Sequence, residues 1–429
     1  MSKSVNKSIF YSLAAHGAPA VLALAIIPIL VRQYGIERFG LLTLFWVFIS
    51  YLNFLDLGIA RTLTKTLATE DQHISSPALA VLKAGLIFVV ALSAVGAFTV
   101  LGLKGLMLEK YLTISPSLFD EASQCVIGIA LTVPALLLFS YYKSIVEGMR
   151  GFNVANTMQF WVSSANYLAP FVALIVSKRL DIAILVLLVL RWSLVVYGFI
   201  KVRHYLKKNW FAVTVDSKAI KTLYSAGIWF SLITVINPLL VFLDRFLVAS
   251  FVPMDQMAFY TAPFEVVTRF WIIPMAVTRI LFPVFSSYGG EWSPKVKRHF
   301  LSGLLWIAMA LLPLVAILFV WGEEIFRLWL GKEFEGQSVL IMKILLVGIV
   351  FNCFNWVSFT FIQSSKHIKW TVLIPILELI LFVAMFYPLV NAFGVEGAAI
   401  AWSGRLVIDA IIFGLLVVVI TKSHGKADQ

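Results

Sequence analysis

Ionisable side chains are scarce in this chain. Asp, Glu, Lys and Arg make up 13% of its 429 residues, against roughly 25% in soluble domains. Cysteine is scarcer still: Cys125 and Cys353 stand alone in apolar runs, which excludes a disulfide framework and a cysteine-based zinc site. The six histidines show no HxxxH or HExxH spacing, so no metal or cofactor is expected. Long polar connections are missing as well. A polytopic enzyme would need a large loop with clustered Arg, His or carboxylates, and no such loop or cluster is visible.

What fills the chain is apolar surface. It is 61% hydrophobic, with a mean hydropathy of +0.94, and no soluble fold of this length could bury so much. A spanning helix needs about 20 mostly apolar residues. Twelve candidates are found, near 10–32, 40–58, 78–102, 122–146, 154–176, 181–201, 222–249, 258–284, 299–321, 338–362, 369–391 and 396–420. The first reads as an uncleaved span, since its apolar run continues to Val31. The expected class is therefore an all-α integral membrane protein.

The net charge of +12 could suggest a nucleic-acid partner in a soluble protein. Here the basic residues lie mostly between spans, as topology signals. Lys201, Arg203, Lys207, Lys208, Lys218 and Lys221 cluster after span six, with Lys295, Lys297, Arg298, Lys366 and Lys369 in later loops on the same side. This puts both termini in the cytoplasm. The basic connection divides the chain into six-span halves, 1–203 and 222–429, around a linker at 204–221. The halves share weak features: Glu147-Gly148 with Arg150 against Gln363-Ser364 with Lys366, and a mid-span arginine in each last span, Arg191 and Arg405. A parallel repeat is the expectation. Locally, Ser76 and Pro77 are expected to start span three, residues 323–334 to form a short amphipathic helix on the outer surface, and "IARTLTKTLATE" to extend span two into the headgroup layer.

Charges at membrane depth are costly and usually face the protein interior or water. The candidates are Asp56, Arg191, Asp244, Arg245, Glu265, Arg269, Glu378, Arg405 and Asp409. Glu265 and Arg269 are four apart, as are Arg405 and Asp409, so each can pair along one helix face. Asp244 and Arg245 are adjacent and point about 100° apart on a helix, so each needs a partner elsewhere. Arg191 reads equally as a cross-helix partner or a cavity residue. Polar amides recur at helical spacing, Gln159 and Asn166 in span five and Asn352 and Asn355 in span ten. Such amides either glue helices together or contact a sugar.

The stretches "LDRFLVASFVPMDQMAFYTAPFEVV", "YGIERFGLLTLFWVF", "FLDLGIARTLTK" and "VEGMRGFNVANTM" resemble the Wzx-type flippases of O-antigen and exopolysaccharide, in the MOP superfamily that also holds the MATE exporters. The resemblance implies a MATE-like fold of two six-helix bundles in the bacterial inner membrane. It implies alternating access through a cationic cavity and an undecaprenyl-pyrophosphate-linked oligosaccharide as cargo. A polysaccharide polymerase and chain-length regulator enter as candidate partners beside membrane lipids. By position, Arg245, Arg269, Arg191 and Arg405 are the expected cationic residues. Asp244, Asp56 and Glu378 are the candidate acids for gating or for coupling to a proton or sodium gradient. Only "LDRF" and "LDLG" carry a motif match. The alternatives are a MATE-like exporter of another amphipathic molecule, disfavoured by basic residues, and a polytopic polymerase or ligase.

Overall fold

The computed structural model describes residues 18–19, 21–68, 70, 74–112, 114–206, 213–221, 223, 243–288 and 291–425, and among them every regular element is helical. The helices are α1 (Val21–Tyr34), α2 (Ile36–Tyr51), α3 (Ile59–Ala68), α4 (Ser76–Leu106), α5 (Pro116–Gly148), α6 (Phe152–Ala173), α7 (Leu180–Leu206), α8 (243–251), α9 (Met254–Thr268), α10 (Ile272–Ser287), α11 (Pro294–Trp329), α12 (Gln337–Gln363) and α13 (Trp370–Gly425). Eight stretches among the described residues are long and apolar enough to cross a membrane. The last of them, 370–421, carries two predicted spans, broken at Gly394 where φ is 58°. That left-handed conformation favours glycine. Most of the predicted seventh span, including Pro238, lies outside the described residues.

The chain divides into two units, Met1–Leu243 and Asp244–Gln429. In the first, α5 packs against α2, α3, α4, α6 and α7. Its buried face includes Tyr141, whose hydroxyl donates to the Leu82 carbonyl at 2.9 Å. Where α1 meets α2 and α6 meets α7, Glu121 ties the helix ends together. It takes a two-pronged bond from Arg38 and accepts from the backbone N–H of Leu180 at 2.5 Å. In the second unit α12 is the hub, packed on α9, α10, α11 and α13.

Two local expectations are corrected. Ser75, not Ser76, caps α4: its hydroxyl accepts from Ala78 N–H at 3.3 Å, while Glu70 bonds both its N–H and its hydroxyl. The α3 segment does not extend α2. A 3-10 turn, Leu52–Asp56, intervenes, and Leu57 and Gly58 then turn the chain at φ 47° and 74°. Residues 323–329, by contrast, form a short helix of their own beyond a kink at Trp321, where ψ is 15°. Phe326 is buried there while Glu323, Glu324, Arg327 and Leu328 are exposed, the expected amphipathic pattern.

Small residues let helices approach closely in membranes. A Cβ on Gly348 of α12 would lie 2.6 Å from the Ser403 Cα of α13, and the Ser403 hydroxyl donates to the Ile344 carbonyl at 2.8 Å. Because the obstacle is backbone, Gly348→Ala is expected to cost about 1–3 kcal/mol through overpacking. Thermal unfolding of the purified variant in detergent measures this; an unchanged midpoint would contradict the close contact.

Candidate functional site

The adjacent pair on α8 finds two different partners. Asp244 is fully buried and accepts from the Tyr260 hydroxyl at 2.5 Å. Arg245, also buried, meets Glu265 at 3.2 Å and lies over the Phe264 ring, 4.2 Å from its centroid. Tyr260, Phe264 and Glu265 all belong to α9. Glu265 is shared: its second oxygen takes Arg269 at 2.6 Å, the intrahelical pair that the spacing allows. The result is one carboxylate between two guanidinium groups. Arg269 sits at the edge of this arrangement, with 32% of its side chain exposed.

A second cluster lies between α12 and α13. Arg405 does not pair along its own helix with Asp409. It reaches Glu378 across the Gly394 break at 3.8 Å and stands near the Phe382 ring. Asp409 instead accepts from the Asn355 amide at 2.6 Å. Glu378, Arg405 and Asp409 are all buried. Arg405 also acts electrostatically on Asp244, which joins the two clusters. Together they hold three arginines and four acids, so the buried charge of this unit is mixed rather than uniformly basic.

The other expected residues have structural partners as well. In the first unit, Arg191 of α7 is buried and donates to Asn166 of α6 at 2.9 Å, and Gln159 donates to Ser163 at 2.9 Å. Asn352 accepts from the indoles of Trp271 at 2.8 Å and Trp356 at 3.3 Å. Asn166, Asn352 and Asn355 thus join protein groups to one another. Asp56 ends the 3-10 turn before α3, and its carboxylate accepts from Ala60 N–H in the first turn of α3 at 3.2 Å. Helix-start caps are worth about 0.5–2 kcal/mol, and asparagine serves nearly as well as aspartate. Asp56→Ala should therefore lower stability by about 1 kcal/mol, while Asp56→Asn should stay near the parent. Thermal unfolding of both variants tests this, and an equal loss in both would assign Asp56 a role that needs its charge.

Several of these features carry no signal in the sequence. Tyr260 reads as one aromatic among many, and nothing in the spacing links Glu378 to Arg405. A further hollow of about 330 Å³ lies between α3 and α5, lined by Arg61, Lys65, Lys143 and Glu147. Lys143 pairs there with Glu147 at 3.4 Å.

A family model described as polysaccharide biosynthesis protein matches residues 5–288. The chain belongs to that family. It is 28% identical over 410 residues to a Shigella flexneri protein named "Putative O-antigen transporter", covering 95% of this chain and 96% of that one. In fold it is similar to an inward-facing multidrug resistance MATE family transporter of the MOP superfamily, with a TM-score of 0.80 at 14% identity over 96% of both chains. It is also similar to the lipid II flippase MurJ in an inward closed conformation, with a TM-score of 0.75 at 13% identity, over 95% of this chain and 87% of that one. The expected all-α, MATE-like fold of a multi-pass membrane protein is therefore found.

Proposed function

We propose that this protein is a transporter, not an enzyme, and that it moves an undecaprenyl-pyrophosphate-linked oligosaccharide from the cytoplasmic to the periplasmic leaflet of a bacterial inner membrane, with both termini in the cytoplasm. The observation that carries this reading is the end-to-end similarity to the Shigella flexneri protein, with the same fold class in a lipid II flippase. The physical problem is the polar head: the lipid tail stays in the bilayer while sugars and a pyrophosphate cross it. Dehydrating those groups without new partners is prohibitive, so polar side chains must replace water along the way.

The Arg245–Glu265–Arg269 arrangement suits the anionic end of such a cargo. Arg269 stands partly exposed beside Glu265, and arginine's planar fork matches phosphate oxygens. Arg269 is the member exposed enough to reach a ligand; Arg245 holds the shared carboxylate in place. Arg191 and Arg405 then serve chiefly as buried partners. The mixed charge around Arg405 supports a second role: Asp244 and Glu378 are the acids through which a proton or sodium gradient would drive alternating access. A polymerase and a chain-length regulator are the partners that would take up the delivered repeat unit.

A deletion strain tests the central claim. The lipid-linked repeat unit should accumulate on the inner leaflet, and sealed vesicles with the purified protein should restore its movement. Unchanged movement in vesicles without the protein would overturn the proposal. Movement that ignores both ion gradients would remove the coupling role of Asp244 and Glu378 while leaving the cargo intact.

A further inference from the structure

Helices α10 and α11 separate along part of their length and leave an apolar groove of about 600 Å³, walled by Ile273, Val277, Ile280, Trp306 and Ala310, with His299 at one end. Gly303 closes its floor: a Cβ there would lie 2.5 Å from a Leu281 methyl carbon, so the helices touch at that level. Trp306 is 62% exposed and Ile280 72%, which marks the groove's open side as a surface meant for hydrocarbon. A second hollow, of about 370 Å³, adjoins it around Lys297 and Arg298, and Ser302 lines both. No ion pair among the described residues uses Lys297 or Arg298.

The two hollows together have the form of a lipid: a cationic pocket for a head and an apolar trough for a chain. From His299 to Ala310 the trough follows α11 for about 16 Å at 1.5 Å per residue. One leaflet of a hydrocarbon core about 30 Å thick is roughly 15 Å deep. The trough therefore accommodates one acyl chain from headgroup to midplane, whereas a long polyprenyl chain would overrun it. Basic residues at the cytoplasmic end of a membrane helix attract anionic head groups, and the loop before α11 lies on the side that the Lys and Arg pattern assigns to the cytoplasm.

We propose that this groove is a binding site for an anionic phospholipid of the cytoplasmic leaflet. Its phosphate lies against Lys297 and Arg298, and one acyl chain lies along α10 and α11. The site is separate from the charged clusters of α8, α9, α12 and α13, and it stands or falls independently of the cargo.

Native mass spectrometry of the full chain released from nanodiscs tests it. The nanodiscs would contain equal parts of phosphatidylglycerol, phosphatidylcholine and undecaprenyl phosphate. Phosphatidylglycerol should be retained preferentially, by about fivefold for each basic residue engaged. The double variant Lys297→Ala/Arg298→Ala should lose that preference but still retain lipid. Ala276→Trp, which places a bulky ring in the trough, should lose retention altogether, with an unchanged elution profile showing that it still folds. Equal retention of the three lipids, or a preference that survives both changes, would overturn the proposal. Preferential retention of undecaprenyl phosphate would overturn the assignment to a phospholipid. A lipid-free dimer would make the groove a contact between copies instead, and would also overturn it.

Discussion

Arg405→Ala is expected to destabilise the protein by about 3–5 kcal/mol, the usual cost of removing one partner from a buried ionic cluster. The guanidinium is buried among Glu378, Asp409 and Asp244. Its loss would leave two buried carboxylates, Glu378 and Asp409, with no cation in the α12–α13 cluster. The effect should appear as a large drop in the unfolding midpoint and in the amount of protein held in the membrane. A second substitution separates this cause from simple loss of packing. Glu378→Gln in the Arg405→Ala background removes one of the stranded charges, so it should recover part of the stability. If the double variant is no better than the single one, the loss comes from a cavity beside Phe382 rather than from charge.

The second large effect is expected at Arg269, and it follows from the cargo role proposed for that residue. Arg269→Glu turns the group around Glu265 from two cations and one anion into one cation and two anions. Hydrogen bonds to charged groups contribute about 1.5–3 kcal/mol each, so with the proposed pyrophosphate cargo the loss of one or two such contacts predicts a fall in cargo movement of at least tenfold. Because Arg269 is one-third exposed, membrane levels should stay close to the parent. Arg269→Lys keeps the charge and loses the fork, and should retain intermediate activity. Surface polymer, normalised to protein level, is the measurement. Full activity in Arg269→Glu would remove this residue from cargo handling and leave the arginine pair as a structural bridge.

The Glu265–Arg269 pair is legible in the sequence because a four-residue spacing fixes which side chains share a helix face. The same rule misleads at Arg405 and Asp409. Their spacing allows a pair, yet Glu378 and Asn355 on neighbouring segments offer each residue a partner from another direction, and helix packing decides between them. Amides illustrate the same limit. Asn166, Asn352 and Asn355 are equally suited by type and spacing to sugars and to other helices, and their packed partners are an arginine, two indoles and an aspartate.

The sequence by itself determined the class of this protein. So much apolar surface and so little charge, with basic residues gathered between the runs, leave an all-helical membrane protein as the consistent answer, since only helices satisfy their own backbone in lipid without closing into a barrel. It also determined which side chains would be expensive enough to demand a partner. Tertiary structure alone decided who those partners are. Asp244 and Arg245 are neighbours in the chain but point apart, so one goes to Tyr260 and the other to Glu265. Asp56 bonds the Ala60 N–H in the first turn of α3 because Leu57 and Gly58 turn the chain at that point. Periodicity reports the face on which a residue lies; what stands opposite that face is set by how the helices pack.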